Sequence, residues 1–109
     1  MTAHPMDEAT RTELERLGSW WRTLPLPQAL VHVPALRAYA QSCADECAQL
    51  LGRAQQTLPD LGPATTWDQV TVVTYDLSDL RDSTDKGELA VRLVLLRRQV
   101  TGQEGQRTS

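Results

Sequence analysis

Thr66–Ser83, TWDQVTVVTYDLSDLRDS, is the stretch on which the fold turns, because it satisfies two incompatible periods. Trp67, Val70, Val73, Leu77 and Leu80 recur at steps of three and four, with Thr74 and Arg81 on the same side. That is the pattern of one helical face. Locally, however, Gln69–Tyr75 (QVTVVTY) is almost wholly β-branched or aromatic, a composition that suits a strand. The next apolar run repeats the conflict. Leu89, Leu93, Leu96 and Val100 read as a helix, whereas Leu89, Val91, Leu93 and Leu95 alternate as in a strand. Two strands would need SDLRDSTDKGE as their hairpin loop, which is long for that purpose. Two helices need only a short break around Asp85–Gly87. The unbroken period from Trp67 to Leu80 decides for helices. The sequence therefore predicts an all-α bundle of about four helices. The alternative is α+β, two N-terminal helices followed by a C-terminal β-hairpin.

Working outward, the first helix is expected from about Met6 to Leu24. Asp7, Glu8 and Glu13 enrich its early turns in acid, and Leu14, Leu17, Trp21 and Leu24 share a face. Gly18 interrupts that pattern at a cost of up to about 1 kcal/mol relative to Ala. The prolines of Leu24–Pro27 (LPLP) end it. Gln28–Val33 reads as a short apolar connector, and Pro34 as the first turn of a second helix that stops near Leu58, before Pro59, Gly62 and Pro63. Leu36, Ala40, Cys43, Cys47, Leu50, Leu51, Ala54 and Leu58 form its apolar stripe, with Ala38, Gln41, Asp45, Gln49 and Gln56 opposite. Thr66 with Gln69 resembles a capping box for the third helix. Residues 1–101 then make one helical domain, and the polar tail 102–109 (GQEGQRTS) is expected to be disordered.

At 109 residues the chain supports a single core, and its 40% hydrophobic and 23% charged content is that of an ordinary globular domain. With three Trp, two Tyr and no Phe, that core must be mostly Leu, Val and Ala. A net charge of −3 argues against a general nucleic-acid binder, which needs a positive surface to displace counterions. The charge is uneven. Seven acids between Asp60 and Glu88 face only Arg81 and Lys86, whereas Arg92, Arg97, Arg98 and Arg107 then face only Glu104. The two stretches read first as differently solvated faces, and second as partners for each other or for a neighbouring subunit. No apolar run approaches the roughly 18 residues of a membrane span, and the polar, acidic start MTAHPMDEATRTE is no secretory signal. A cytoplasmic chain with reduced cysteines is the expectation.

Three constellations bear on chemistry. Cys43 and Cys47 lie one turn apart and would present two thiolates to one metal, or sense redox state. Their string SCADECA (42–48) resembles the cysteine-rich helices of four-helix copper-storage proteins, which line their bundles with many cysteines where this chain has two. The preferred reading makes both thiols small core hydrophobes. Asp76 and Asp79, continued by Asp82 and Asp85, together with Asp45 and Glu46 invite comparison with all-α nucleotide pyrophosphohydrolases of the MazG type. That resemblance implies Mg²⁺ held between Glu-x-x-Glu and Glu-x-x-Asp. The nearest matches here are Glu46-x-x-Gln49 and Asp76-x-x-Asp79, so one carboxylate is missing, and a solvated acidic face is preferred. No phosphate-binding glycine loop is present, and only His4 and His32 could serve a nucleophile, so no enzyme and no cofactor are expected.

The third constellation is apolar. Trp20 and Trp21 are adjacent, so one helix cannot bury both in the same core. Val72 and Tyr75 fall off the main face of the third helix, as Val91 and Leu95 do on the fourth. Trp20, Val72, Tyr75, Val91 and Leu95 together point to a second apolar surface. The expectation is a non-enzymatic interaction or regulatory domain that docks to itself, as a homodimer, or to another protein, with no nucleic acid and no membrane as partner.

Overall fold

A computed structural model describes residues 7–81 and 86–108 of the chain. Among them are four helices and no strand: α1 (Glu8–Arg22), α2 (Leu26–Leu51), α3 (Pro63–Leu80) and α4 (Lys86–Thr108). The chain is all-α, and the ambiguous QVTVVTY lies inside α3. Two things let helix win there. Burial follows the helical period, with Val70, Val73, Thr74 and Leu77 inside and Val72 and Tyr75 outside. The threonines also give up their competition with the backbone, since Thr71 donates its hydroxyl to the Trp67 carbonyl (3.1 Å) and Thr74 to that of Val70 (2.6 Å). Helical backbone in α4 runs on to Thr108, through most of the segment 102–109.

The second helix differs from its expected span at both ends. It starts at Leu26 rather than Pro34, with extended Pro25 as its N-cap and Pro27 in its first turn, where a missing N–H costs nothing. Gln28–Val33 is therefore helix and not a connector, and its inner side packs, with Ala29 and His32 both buried. Pro34 sits inside the helix on the exposed face, where the Leu30 carbonyl it leaves without an i+4 donor can be hydrated. At the other end Gly52 takes a left-handed conformation (φ 66°), and Arg53 N–H bonds to the Ala48 carbonyl at 2.8 Å. A glycine closing the helix in this way stops it seven residues short of Leu58. The stripe is accordingly shorter: Leu36, Ala40 and Cys43 are buried and Cys47 is half-buried, but Leu50 and Leu51 are exposed. The third helix also starts earlier, from Gly62. No capping box forms, because Thr66 donates to the Gly62 carbonyl (3.0 Å) and Gln69 to that of Pro59 (2.9 Å).

Arg53–Gly62 forms a strap without regular structure that returns along α2. Gln41 holds it with both ends of its amide, donating to the Gln56 carbonyl (2.9 Å) and accepting from Leu58 N–H (2.8 Å). One turn earlier, Arg37 donates to the carbonyls of Pro59 and Leu58. The strap carries the chain back to the start of α2, so α3 runs parallel to it. The side-chain pairs record this: Tyr39 meets Thr74 and Glu46 meets Arg81, both 35 positions apart. Short connections make α1 antiparallel to α2 and α4 antiparallel to α3, so α1 and α4 are parallel to each other. Leu17, Leu36, Leu77, Leu89 and Leu93, drawn from all four helices, are fully buried at the centre. No helix among the described residues is long and apolar enough to cross a membrane.

Candidate functional site

The cysteines of α2 sit in unlike surroundings. Cys43 is fully buried, beside the Tyr39 hydroxyl and 3.6 Å from an Arg92 nitrogen. Burial pushes its thiol pKa up, and the Arg92 charge offsets this only in part. Cys47 is half-buried; burial first, then the Asp76 charge, raise its pKa as well. In both, burial favours the thiol over the thiolate. Tyr39 is raised further by burial. Its hydroxyl is 2.8 Å from Thr74 Oγ1, and since Thr74 donates to Val70, Tyr39 is the donor. Among the described residues, no three His, Cys, Asp or Glu side chains are grouped to hold a metal ion.

The acidic residues are not assembled either. Glu46 is taken up by two arginines, Arg81 at the end of α3 and Arg92 of α4, the latter at 3.0 Å. Arg81 also reaches Glu88 (3.2 Å), and Arg92 donates to Ser42 (3.1 Å). Burial works against the Arg81 charge, but its bonds to Glu46 and Glu88 outweigh that and raise its pKa. Glu46 thus pins α2 to α3 and α4 and is not left for a cation. Gln49 and Asp79 are exposed, and Asp76 belongs to a different surface beside Cys47. His4, Asp82 and Asp85 lie outside the described residues. Of the α4 arginines, Arg92 pairs with Glu46 of α2 and Arg97 with Glu13 of α1 at 3.1 Å.

Of the five expected surface residues, the structure brings two together. Val91 and Leu95, 56% and 58% exposed, stand on the lip of an open groove of about 750 Å³ between α1 and α4. Its floor is made of small or half-buried side chains, Ala90 and Val94, with Ala9 across from them. Asp7 and Glu8 stand at its α1 side and Arg98 on α4. Val72 lies elsewhere, in a second groove of about 710 Å³ between α2, the strap and α3, with Cys47, Leu51, Leu58 and Asp76. Tyr75 is exposed on α3 and lines neither groove. Trp20 is half-buried: it packs on the core, edge to face with the buried His32 at 5.1 Å. His32 is thus an interior residue of α2.

Ala9 and Val94 escape a sequence reading because small and half-buried side chains look the same at a groove floor and in a core. Arg98 could have been found, since Val91, Leu95 and Arg98 continue one row at steps of four and three. A further apolar patch is equally hidden. Leu26, Leu30 and Val31 are 61%, 50% and 40% exposed on the first turns of α2, ahead of the Pro34 at which the sequence alone starts the helix. No family model, no curated protein and no solved structure matches the chain.

Proposed function

We propose that this chain is a non-enzymatic helical interaction domain, and that the groove between α1 and α4 is its docking surface. The observation that carries the reading is Val91 and Leu95, both more than half exposed beside a floor of alanine and half-buried valine. A large apolar pair flanking a shallow trough, with charges at its margin, is the anatomy of a protein–protein contact rather than of a reaction centre. The thiols of Cys43 and Cys47 pack with the core, and Glu46 is held in ion pairs by Arg81 and Arg92. Two free thiols with raised pKa values suit a reducing cytoplasmic setting.

A photo-crosslinking side chain at position 95, with a control at exposed Gln49, tests this in cells that make the protein. Covalent protein adducts should form from position 95 and not from position 49. Adducts at neither position, or equally at both, would remove the groove as a docking surface.

A further inference from the structure

The groove has a polarity that identifies its occupant. α1 and α4 run parallel, and Glu13 is level with Arg97. Glu8, five residues before Glu13, is therefore level with the first exposed turns of α4, around Val91. Arg98 lies two turns further on, about 10 Å along the axis. One end of the trough is acidic, from Asp7 and Glu8; at the other end the Glu13 carboxylate is paired with Arg16 and Arg97, Arg98 adds a further positive charge, and Leu95 lies between the two ends. Glu8 and Arg98 are on opposite ends and so do not meet within one chain.

A surface with acid at one end, base at the other and an apolar middle is complementary to itself turned through 180°. We infer that the groove is covered by a second copy of this chain, α4 against α4 in antiparallel orientation, with Leu95 near the two-fold axis and Arg98 of each copy facing Glu8 of the other. Val91 of each copy then lies at the Arg98 end of its partner's groove. The inference rests on the groove being a docking surface, and it goes further by naming the occupant and its register. An unrelated amphipathic helix would have no reason to match both ends at once, whereas the two-fold arrangement makes both matches with a single residue pair.

Charge reversal gives the register a signature. Glu8→Lys sets lysine against arginine across the dimer, and Arg98→Glu sets glutamate against glutamate. Each variant alone is therefore expected to dimerise at least about tenfold more weakly than the wild type. Mixed one to one, the two variants face opposite charges at both ends and should form a heterodimer, with affinity close to that of the wild type. Light scattering across a concentration series, with one variant carrying a mass tag, reads all four samples. Circular dichroism confirms that each variant remains helical, and Leu95→Glu, which alters the middle and not the ends, should be monomeric. A wild type that stays monomeric at every concentration overturns the second copy as occupant. If position 95 still crosslinks to another protein in cells, the docking reading survives that result. A wild-type dimer indifferent to both reversals overturns the antiparallel register, and with it this inference.

Discussion

Gly18→Ala tests the approach of α1 to α3. In an open helix this substitution stabilises by about 0.8–1 kcal/mol, because alanine loses less backbone freedom on folding. Here a Cβ at position 18 would lie 2.8 Å from Trp67 Cζ2 and 3.5 Å from Cη2. Carbon pairs rest at about 3.5–4.0 Å, so the indole must retreat by roughly 0.7 Å or more. Trp67 is rigid and packs against the core, so it cannot yield as a lysine tip would. Overpacking of this kind costs about 1–3 kcal/mol, which reverses the propensity gain and leaves a net loss of about 1 kcal/mol. In the background of Trp67→Phe, whose shorter ring lacks both clashing atoms, the same alanine should instead stabilise by about 1 kcal/mol. The cycle therefore predicts a coupling of about 2 kcal/mol between positions 18 and 67. Urea unfolding followed by far-ultraviolet circular dichroism measures all four proteins without relying on tryptophan fluorescence. Gly18→Ala stabilising both backgrounds equally would refute the packing of Trp67 over α1.

Three further substitutions or conditions probe other joints. Glu46→Ala leaves Arg81, whose side chain is only 10% exposed, and Arg92 without their shared carboxylate. A loss of about 2–3 kcal/mol in urea is expected, against no more than about 1 kcal/mol for Glu88→Ala, whose carboxylate is largely exposed; equal losses would mean that Glu46 is no joint. Stability should also fall in alkali. Cys43, Cys47 and Tyr39 have raised pKa values when folded, so above about pH 8.5 the unfolded chain releases their protons first. That contribution is fully present below the ordinary thiol range and is lost as pH rises, by up to about 1.4 kcal/mol per pH unit for each proton released. A urea midpoint unchanged between pH 7.5 and 10 would contradict it. Gln41→Ala frees the strap, so the Leu58 amide should exchange with deuterium at least about tenfold faster while the Leu77 amide, inside α3, changes far less. Unaltered exchange at Leu58 would show that the strap is held by something other than Gln41.

Legibility in the sequence followed the length of the periodic signal. α1 and α3 came within a few residues because their buried positions, such as Leu14, Leu17, Val70 and Leu77, repeat over several turns. The ends of α2 did not, for a reason specific to proline and glycine. Pro34 reads as a beginning, yet an exposed proline inside a long helix forfeits one bond that water replaces. Gly52 reads as one more turn, yet its left-handed conformation ends the helix. Ala54 and Leu58 kept the apolar pattern going past that point because the strap packs too, with Leu58 against the core. Gln41 reads as solvent-facing for the same reason: a side facing a strap is as polar as one facing water. Of the apolar surface, Val91 and Leu95 were legible as off-face residues, but nothing in the sequence says that Val72 lies in a different groove. Trp20 packs partly inward because its neighbour across the turn, His32, is part of α2, in a stretch that reads from the sequence as a connector.

The strap explains why the candidate surface lies between the first and last helices. Had α2 and α3 been joined by a short turn, four helices in sequence would alternate in direction, and α1 and α4 would run antiparallel. The crossover at Arg53–Gly62 reverses α3 and therefore α4, setting α1 and α4 parallel with their N-termini at one end. Parallel packing is what brings Asp7 and Glu8 level with Val91 and leaves Arg98 at the far end of the same trough. In the antiparallel alternative, Glu8 would lie beside the second half of α4, close to Arg98, and the two charges would neutralise each other within one chain. The hydrogen bonds from Gln41, Arg37 and Gln69 to the strap thus act at a distance. By holding the crossover they keep the ends of the groove oppositely charged, and that separation is what a second copy can read.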